Sequence, residues 1–227
     1  MLGIIRVITL QDEPAVHMHG ALVERRFGLP VISRCIPDQP RGVFNDETEA
    51  ESVPKIIALA RELEQQGCTA IGISCAADPA LREVRAAVKV PVLGAGSCAA
   101  HMSLAYSDKI GVLTILTEVP LLIRSILGEA YLGMDRPDGV TTTLDLNTPA
   151  GRAGALAGAA RLVERGAEAI VLACTGFATI GLAAELEEKL GIRAFDPILC
   201  LGAAAASAAS VPVQPQGGPA ARPILEA

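Results

Sequence analysis

The sequence predicts an α/β protein of two pseudo-symmetric lobes, each a four-stranded, mostly parallel sheet flanked by helices, with the active site in the cleft between them. Three observations carry this expectation. Residues 60 to 75 (ARELEQQGCTAIGISC) match residues 159 to 174 (AARLVERGAEAIVLAC) without a gap, with Ala60/Ala159, Leu63/Leu162, Gly67/Gly166, Ala70/Ala169, Ile71/Ile170 and Cys75/Cys174 coinciding. Apolar runs alternate with segments of helical period, and strands that are continuously apolar belong to parallel sheets covered on both faces. Finally, 227 residues that are 51% hydrophobic and 3% aromatic make a core of Ala, Val, Ile and Leu large enough for one big domain or two small ones. A duplication of about a hundred residues, in two copies, falls short of a solenoid and suggests facing lobes.

Taken in order, the apolar runs at 4–10, 30–36, 70–75 and 90–94 read as strands, with helices at 14–27, 48–66 and 79–88 between them. The second half repeats the rhythm, with strands at 110–115, 139–145, 169–174 and 192–196, helices at 118–132, 149–165 and 177–190, and a last helix at 198–210. The repeat extends outward through Ile5/Ile110, Val7/Val112 and Thr9/Thr114, and residues 90–92 (VPV) answer to 192–194 (IRA). Lobe 1 is then residues 1–98, completed by the helix at 198–210, and lobe 2 is residues 99–197. The Pro/Gly-rich stretch 211–227 reads as an extended or disordered C-terminal tail.

Composition excludes several functions. A net charge of -6 with scattered Lys and Arg lacks the basic footprint that nucleic acid requires. Residues 1–10 run into a strand without the basic, apolar and small-residue sections of a signal peptide, so a cytoplasmic location is expected. The uncharged stretch near the C-terminus is broken by Pro212, Pro215 and Pro219 and does not read as a membrane span. Six cysteines without a Cys-x-x-Cys read as reduced thiols, and His17, His19 and His101 are not spaced as a metal cluster, so no metal is expected.

Ligands of parallel sheets sit beyond the carboxyl ends of the strands, where both Cys75 and Cys174 fall. After Cys75, Asp78 reads as a helix N-cap and Pro79 as a first helical residue, which would put the thiol beside a helix N-terminus and favour its thiolate. After Cys174, the Thr175 hydroxyl and the backbone freed by Gly176 offer donors for a carboxylate or a developing enolate oxygen. A free cysteine is often only a small buried hydrophobe, and Cys35, Cys68, Cys98 and Cys200 are read that way. Cys75 and Cys174 are set apart by their matching positions in the repeat.

The stretches CAADPAL (75–81), LACTGF (172–177) and VPVLGAGS (90–97), with the duplication, resemble the Asp/Glu/hydantoin racemase superfamily over roughly residues 1–210, closest in motif to the hydantoin/allantoin racemase branch. The resemblance implies a cofactor-independent racemase acting on a small molecule, with Cys75 and Cys174 flanking the substrate's α-carbon as exchanging base and acid. Ala76, Asp78, Gly96, Ser97, Thr114, Thr175 and Gly176 are the candidate substrate-binding residues. Two loops depart from the pattern: Leu10-Gln11-Asp12-Glu13-Pro14 stands where Asn-Pro-Asn is usual, and Thr-Gly-Phe replaces Ala-Gly-Met after the second cysteine. Asp12 and Glu13 would repel an anionic amino acid and favour a neutral or cyclic substrate such as a hydantoin. Such a ring acidifies its own α-hydrogen, so no pyridoxal phosphate is required.

Two other classes compete. Residues 94–99 (GAGSCA) fit G-x-G-x-x-A after a strand, with Glu118 following the next one, the pattern of a nicotinamide-dependent oxidoreductase. A non-catalytic accessory protein could keep the same fold, as could a decarboxylase with one cysteine; the second cysteine argues against both. The apolar segment 118–132 (EVPLLIRSILGEAYL) suggests a homo-oligomer contact.

Overall fold

A computed structural model describes residues 1–210; the expected tail at 211–227 lies outside the described residues. The elements run β1 (Leu2–Arg6), α1 (Glu13–Phe27), β2 (Val31–Cys35), α2 (Asp46–Gln65), β3 (Ala70–Ser74), α3 (Leu81–Ala87), β4 (Val92–Gly94) and α4 (Ala95–Leu104). The second half follows with β5 (Ile110–Leu113), α5 (Leu121–Leu127), β6 (Tyr131–Asp135), α6 (Pro149–Glu164), β7 (Ala169–Leu172), α7 (Gly176–Thr179), α8 (Leu182–Leu190), β8 (Arg193–Phe195) and α9 (Pro197–Ser210). The strands form two four-stranded parallel sheets of identical order, β2-β1-β3-β4 and β6-β5-β7-β8. No helix among the described residues is long and apolar enough to cross a membrane.

Sheet register refines the internal repeat. Leu2 pairs with Ala70 and Ile110 with Ala169, so Leu2 is the counterpart of Ile110, Gly3 of Gly111, and Arg6 of Thr114. The sequence match of Ile5 with Ile110 is therefore slipped by three residues, because a run of Ile, Val and Leu aligns acceptably at several offsets. Glycine fixes the register. A Cβ on Gly3 would meet Leu63 and Cys68, and one on Gly111 would meet Leu162 and Ala167, which are the matching residues of the two copies. The pairings Ile71 with Val92 and Ile170 with Ala194 agree with the match of 90–92 to 192–194.

One face of the first sheet packs on α2 and α3 through Ile5, Ile56, Leu63, Ile71, Ile73 and Val84. Its other face takes α1 and α9, with Leu201 seated over Gly72. The second sheet is covered by α6 and α8 on one side and by α4 and α5 on the other, where Ala99 and Ala100 meet Ile110, Val112 and Ile123. Helix α9 thus crosses back to the first sheet, while α4 runs from the end of the first sheet onto the second.

The second half contains the largest departure from the sequence expectation. The helix expected over 118–132 stops at Leu127, because Gly128 takes a left-handed φ of 51°, and the chain continues as strand β6. That strand lies at the sheet edge and is only half buried, so it lacks the apolar run that marks the others. Residues 139–145, rich in Thr and expected as a strand, fold instead into a 3-10 turn at Thr143–Asn147. The Asp145 carboxylate accepts from the backbone N–H of Thr141 and Thr142 and from both their hydroxyls, a local set of bonds that competes with any sheet ladder. The apolar face proposed for an oligomer contact is largely internal: Val119, Ile123, Leu127 and Ala130 are buried within the chain, leaving Leu121 and Leu132 exposed.

Candidate active site

A cavity of about 280 Å³ opens between the carboxyl ends of the two sheets. The first half contributes Arg6 at the end of β1, His19 from α1, and Ser74 and Cys75 at the end of β3. The second contributes Ile115 and Leu116 after β5, Ala173, Cys174 and Thr175 after β7, the 3-10 turn with Thr143, and Thr179 from α7. Cys75 and Cys174 follow strands that occupy equivalent central positions in the two sheets, and both line this one cavity.

The two thiols are held protonated by burial. Cys75 is pushed up to about 12, burial outweighing the hydrogen bond from the Ala77 backbone. Cys174 is also raised by burial, against hydrogen bonds from Thr143 and from the backbone of Gly176 and Phe177. The Gly176 N–H donates to Cys174 Sγ at 3.4 Å, and Thr143 Oγ1 lies 3.6 Å from it. A side chain at Gly176 would collide with Thr143, so glycine there keeps the turn against the sulfur.

The expected helix start beside Cys75 is absent. Helix α3 begins at Leu81 behind Ala80, and Asp78 does not cap it. Asp78 adopts a left-handed φ of 53° and turns its carboxylate onto the start of α4, accepting from Gly96 N at 2.9 Å and Ser97 N at 2.6 Å. This occupies the anion position that the G-x-G-x-x-A pattern would offer to a dinucleotide, and a Cβ on Gly94 would stand 2.4 Å from the carboxylate carbon. In the second sheet, Asp196 caps α9 by accepting from Ile198 and Leu199, so each of these two helices starts on a buried carboxylate. Burial raises Asp78 to about 6 despite its hydrogen bonds.

The other candidate residues separate into two groups. Ala76 and Thr175 line the cavity. Asp78, Gly96, Ser97, Gly176 and Thr114 do not: the first three form the junction behind the Cys75 loop, and the fully buried Thr114 accepts from Leu116 N at 3.1 Å. Asp12 and Glu13 also lie away from it. Asp12 caps α1 by accepting from Ala15 N at 3.0 Å, and the exposed Glu13 pairs with His17 at 2.9 Å, so neither places negative charge in the cavity. Among the described residues no group of three or more His, Cys, Asp or Glu could hold a metal ion.

Two lining residues with titratable side chains, His19 and Arg6, were not singled out as site residues from the sequence. His19, 1% exposed, places Nδ1 2.8 Å from Ser74 Oγ and Nε2 3.0 Å from Thr179 Oγ1. Burial, with the nearby Arg6 cation, holds it well below the usual histidine range, so it is neutral. Arg6 is 7% exposed and donates from Nη1 to the carbonyls of Ala15 and Val16 at 2.6 and 3.2 Å. Burial lowers it to about 10, which leaves it cationic at neutral pH. Neither role has a motif, although Arg6 is the lone charge in the otherwise apolar run 2–8.

Fold and cavity together define an α/β protein of two equivalent parallel sheets that present one thiol each to a shared pocket. The chain belongs to the family described as Asp/Glu/Hydantoin racemase, which it matches over residues 21–205, and is an isomerase of the racemase type. It is 29% identical over 169 residues to "Hydantoin racemase" of Rhizobium meliloti, covering 71% of this chain and 68% of that protein. Against "Hydantoin racemase" of Pseudomonas sp. (strain NS671) the identity is 26% over 188 residues, covering 80% and 74%. The solved allantoin racemase from Klebsiella pneumoniae shares the fold at a TM-score of 0.78 and 22% identity, covering 92% of this chain and 87% of that one.

Proposed function

We propose that this protein inverts the α-carbon of a hydantoin-like or related amino-acid-derived compound, with Cys75 and Cys174 on opposite faces of the substrate. One observation carries the reading: two cysteines at equivalent strand ends of equivalent sheets line the same cavity. One cysteine, as thiolate, takes the α-hydrogen as a proton, and the C–H electron pair moves onto the adjacent carbonyl oxygen. The opposite thiol returns a proton to the other face as the carbonyl re-forms. Exchanging the roles serves the reverse direction. A hydantoin ring delocalises the charge itself, and no lysine is among the described residues that line the cavity, so the reading assigns the chemistry to side chains alone. The relatives named as hydantoin racemases support this substrate class.

Incubation of the purified protein with single-enantiomer 5-substituted hydantoins, and with amino acids as a comparison, tests it by optical rotation. Decay of rotation to zero for a hydantoin is expected. Loss of rotation no faster than the spontaneous rate across a broad panel would reject the reading.

A further inference from the structure

Among the described residues that line the cavity, Arg6 is the only Asp, Glu, Lys or Arg. It sits at the end of β1, in register with Ser74, the residue immediately before Cys75. Its two hydrogen bonds to α1 engage Nη1 alone. Among the described residues Nε and Nη2 have no hydrogen-bond partner, yet they are not among the sealed side-chain atoms that lack a hydrogen bond, such as Ser33 Oγ and Arg136 Nε. Arg6 lines the cavity and is almost fully buried, so the small surface that these two unsealed nitrogens keep is assigned to the cavity side.

A cation at the floor of a poorly solvated pocket with no facing carboxylate is an electrostatic cost in the empty protein. A reaction that creates negative charge at that point offsets the cost, and a fixed donor aimed at developing charge stabilises it more than it stabilises the neutral ground state. The second sheet offers no such group: Thr114, the counterpart of Arg6, is fully buried with its oxygen engaged by Leu116 N. The thiols are related by the repeat, whereas the cation comes from one sheet. Both enantiomers can therefore share one anchoring point while presenting opposite hydrogens to the two cysteines.

Resting on the racemase reading above, we infer that Arg6 is a catalytic residue whose free guanidinium N–H groups receive the carbonyl oxygen that becomes anionic when the α-hydrogen leaves. No bond to Arg6 forms or breaks; it donates hydrogen bonds to the oxygen that accepts the electron pair and releases it when the carbonyl re-forms.

The test combines a binding measurement that needs no turnover with a kinetic one. At pH 7.5 the wild-type protein should bind the planar anion pyrrole-2-carboxylate at least about tenfold more tightly than its neutral isostere pyrrole-2-carboxamide by calorimetry, since charge-assisted hydrogen bonds are the stronger ones. In Arg6→Gln, with circular dichroism unchanged, that preference should vanish, and kcat on a racemised hydantoin should fall about 10²-fold with KM within threefold. Guanidinium chloride at millimolar concentration should restore part of kcat in Arg6→Ala. If Arg6→Gln does not fold, Arg6→Lys serves: it keeps the charge without the planar fork, and retention of anion preference with a lowered kcat is expected. An Arg6→Gln variant that distinguishes carboxylate from carboxamide as the wild type does, or an Arg6→Gln or Arg6→Lys variant that keeps wild-type kcat, overturns the assignment. Absence of racemisation by wild-type protein with anion preference intact would reject the racemase reading and leave the anion site standing.

Discussion

His19 Nε2 lies 3.0 Å from Thr179 Oγ1 while its Nδ1 lies 2.8 Å from Ser74 Oγ, so one buried ring joins the end of a strand in the first sheet to a helix of the second half across the cavity wall. A neutral imidazole has one donor and one acceptor nitrogen, and hydroxyls on both sides can complement either tautomer.

The first prediction concerns this ring. Its native value lies well below 6.5, so the unfolded state takes up a proton that the native state refuses as pH falls. Its contribution to stability is complete above 6.5 and is lost as pH drops toward the native value, by up to about 1.4 kcal/mol per pH unit. His19→Gln, which keeps a donor and an acceptor without titrating, should lose less stability than wild type between pH 7 and pH 5 in urea melts. Equal losses in the two proteins would show that the ring does not titrate this way.

Asp78 gives a second prediction, of opposite sign. Its native carboxyl is raised from 3.8 to about 6, so its contribution to stability is full below 3.8 and is lost as pH rises through about 6. Asp78→Asn cannot accept from both Gly96 N and Ser97 N, and leaving one buried N–H unpaired should cost about 1–3 kcal/mol. The stability difference between wild type and variant should therefore shrink as pH climbs across that interval. A difference that stays constant or widens would contradict the inverted titration.

How much of this was legible in the sequence depends on the range of the interactions involved. The two sheets, the duplication and the paired cysteines all rest on strong local signals, namely apolar runs and a gap-free repeat. Strand β6 was missed because an edge strand needs only a half-buried pattern, and the Thr-rich segment before Asp145 was misassigned because side-chain bonds to the backbone outcompeted its strand preference. Asp78 carried the signature of a helix cap, and it is one, but for α4 rather than for the helix that follows it in sequence. His19 and Arg6 take their roles from partners that only the tertiary fold brings near. Arg6 in particular was visible as an isolated charge in a buried strand, without any indication of what it faces.

The third prediction is the pH profile of catalysis. A helix start beside Cys75 would have favoured its thiolate near neutrality, but burial pushes Cys75 up to about 12 and raises Cys174 as well. Since the reaction needs one thiolate and one thiol, log(kcat/KM) should climb with a slope approaching one per pH unit from about pH 7 to 9, with any maximum on the alkaline side. Both limbs belong to the pair. An optimum at or below neutral pH would require a base other than these buried thiols.

The fourth prediction separates the two cysteines. Each direction of racemisation uses both residues, so Cys75→Ser and Cys174→Ser should each slow both directions by about 10²-fold or more. Exchange with solvent makes a finer distinction, because a single remaining thiol can remove a hydrogen and return deuterium from its own face without inversion. In deuterium oxide, NMR on separate D and L samples should show the two variants washing deuterium into opposite enantiomers. The same residual preference in both variants, or wild-type racemisation in either, would mean that Cys75 and Cys174 do not address opposite faces of the α-carbon.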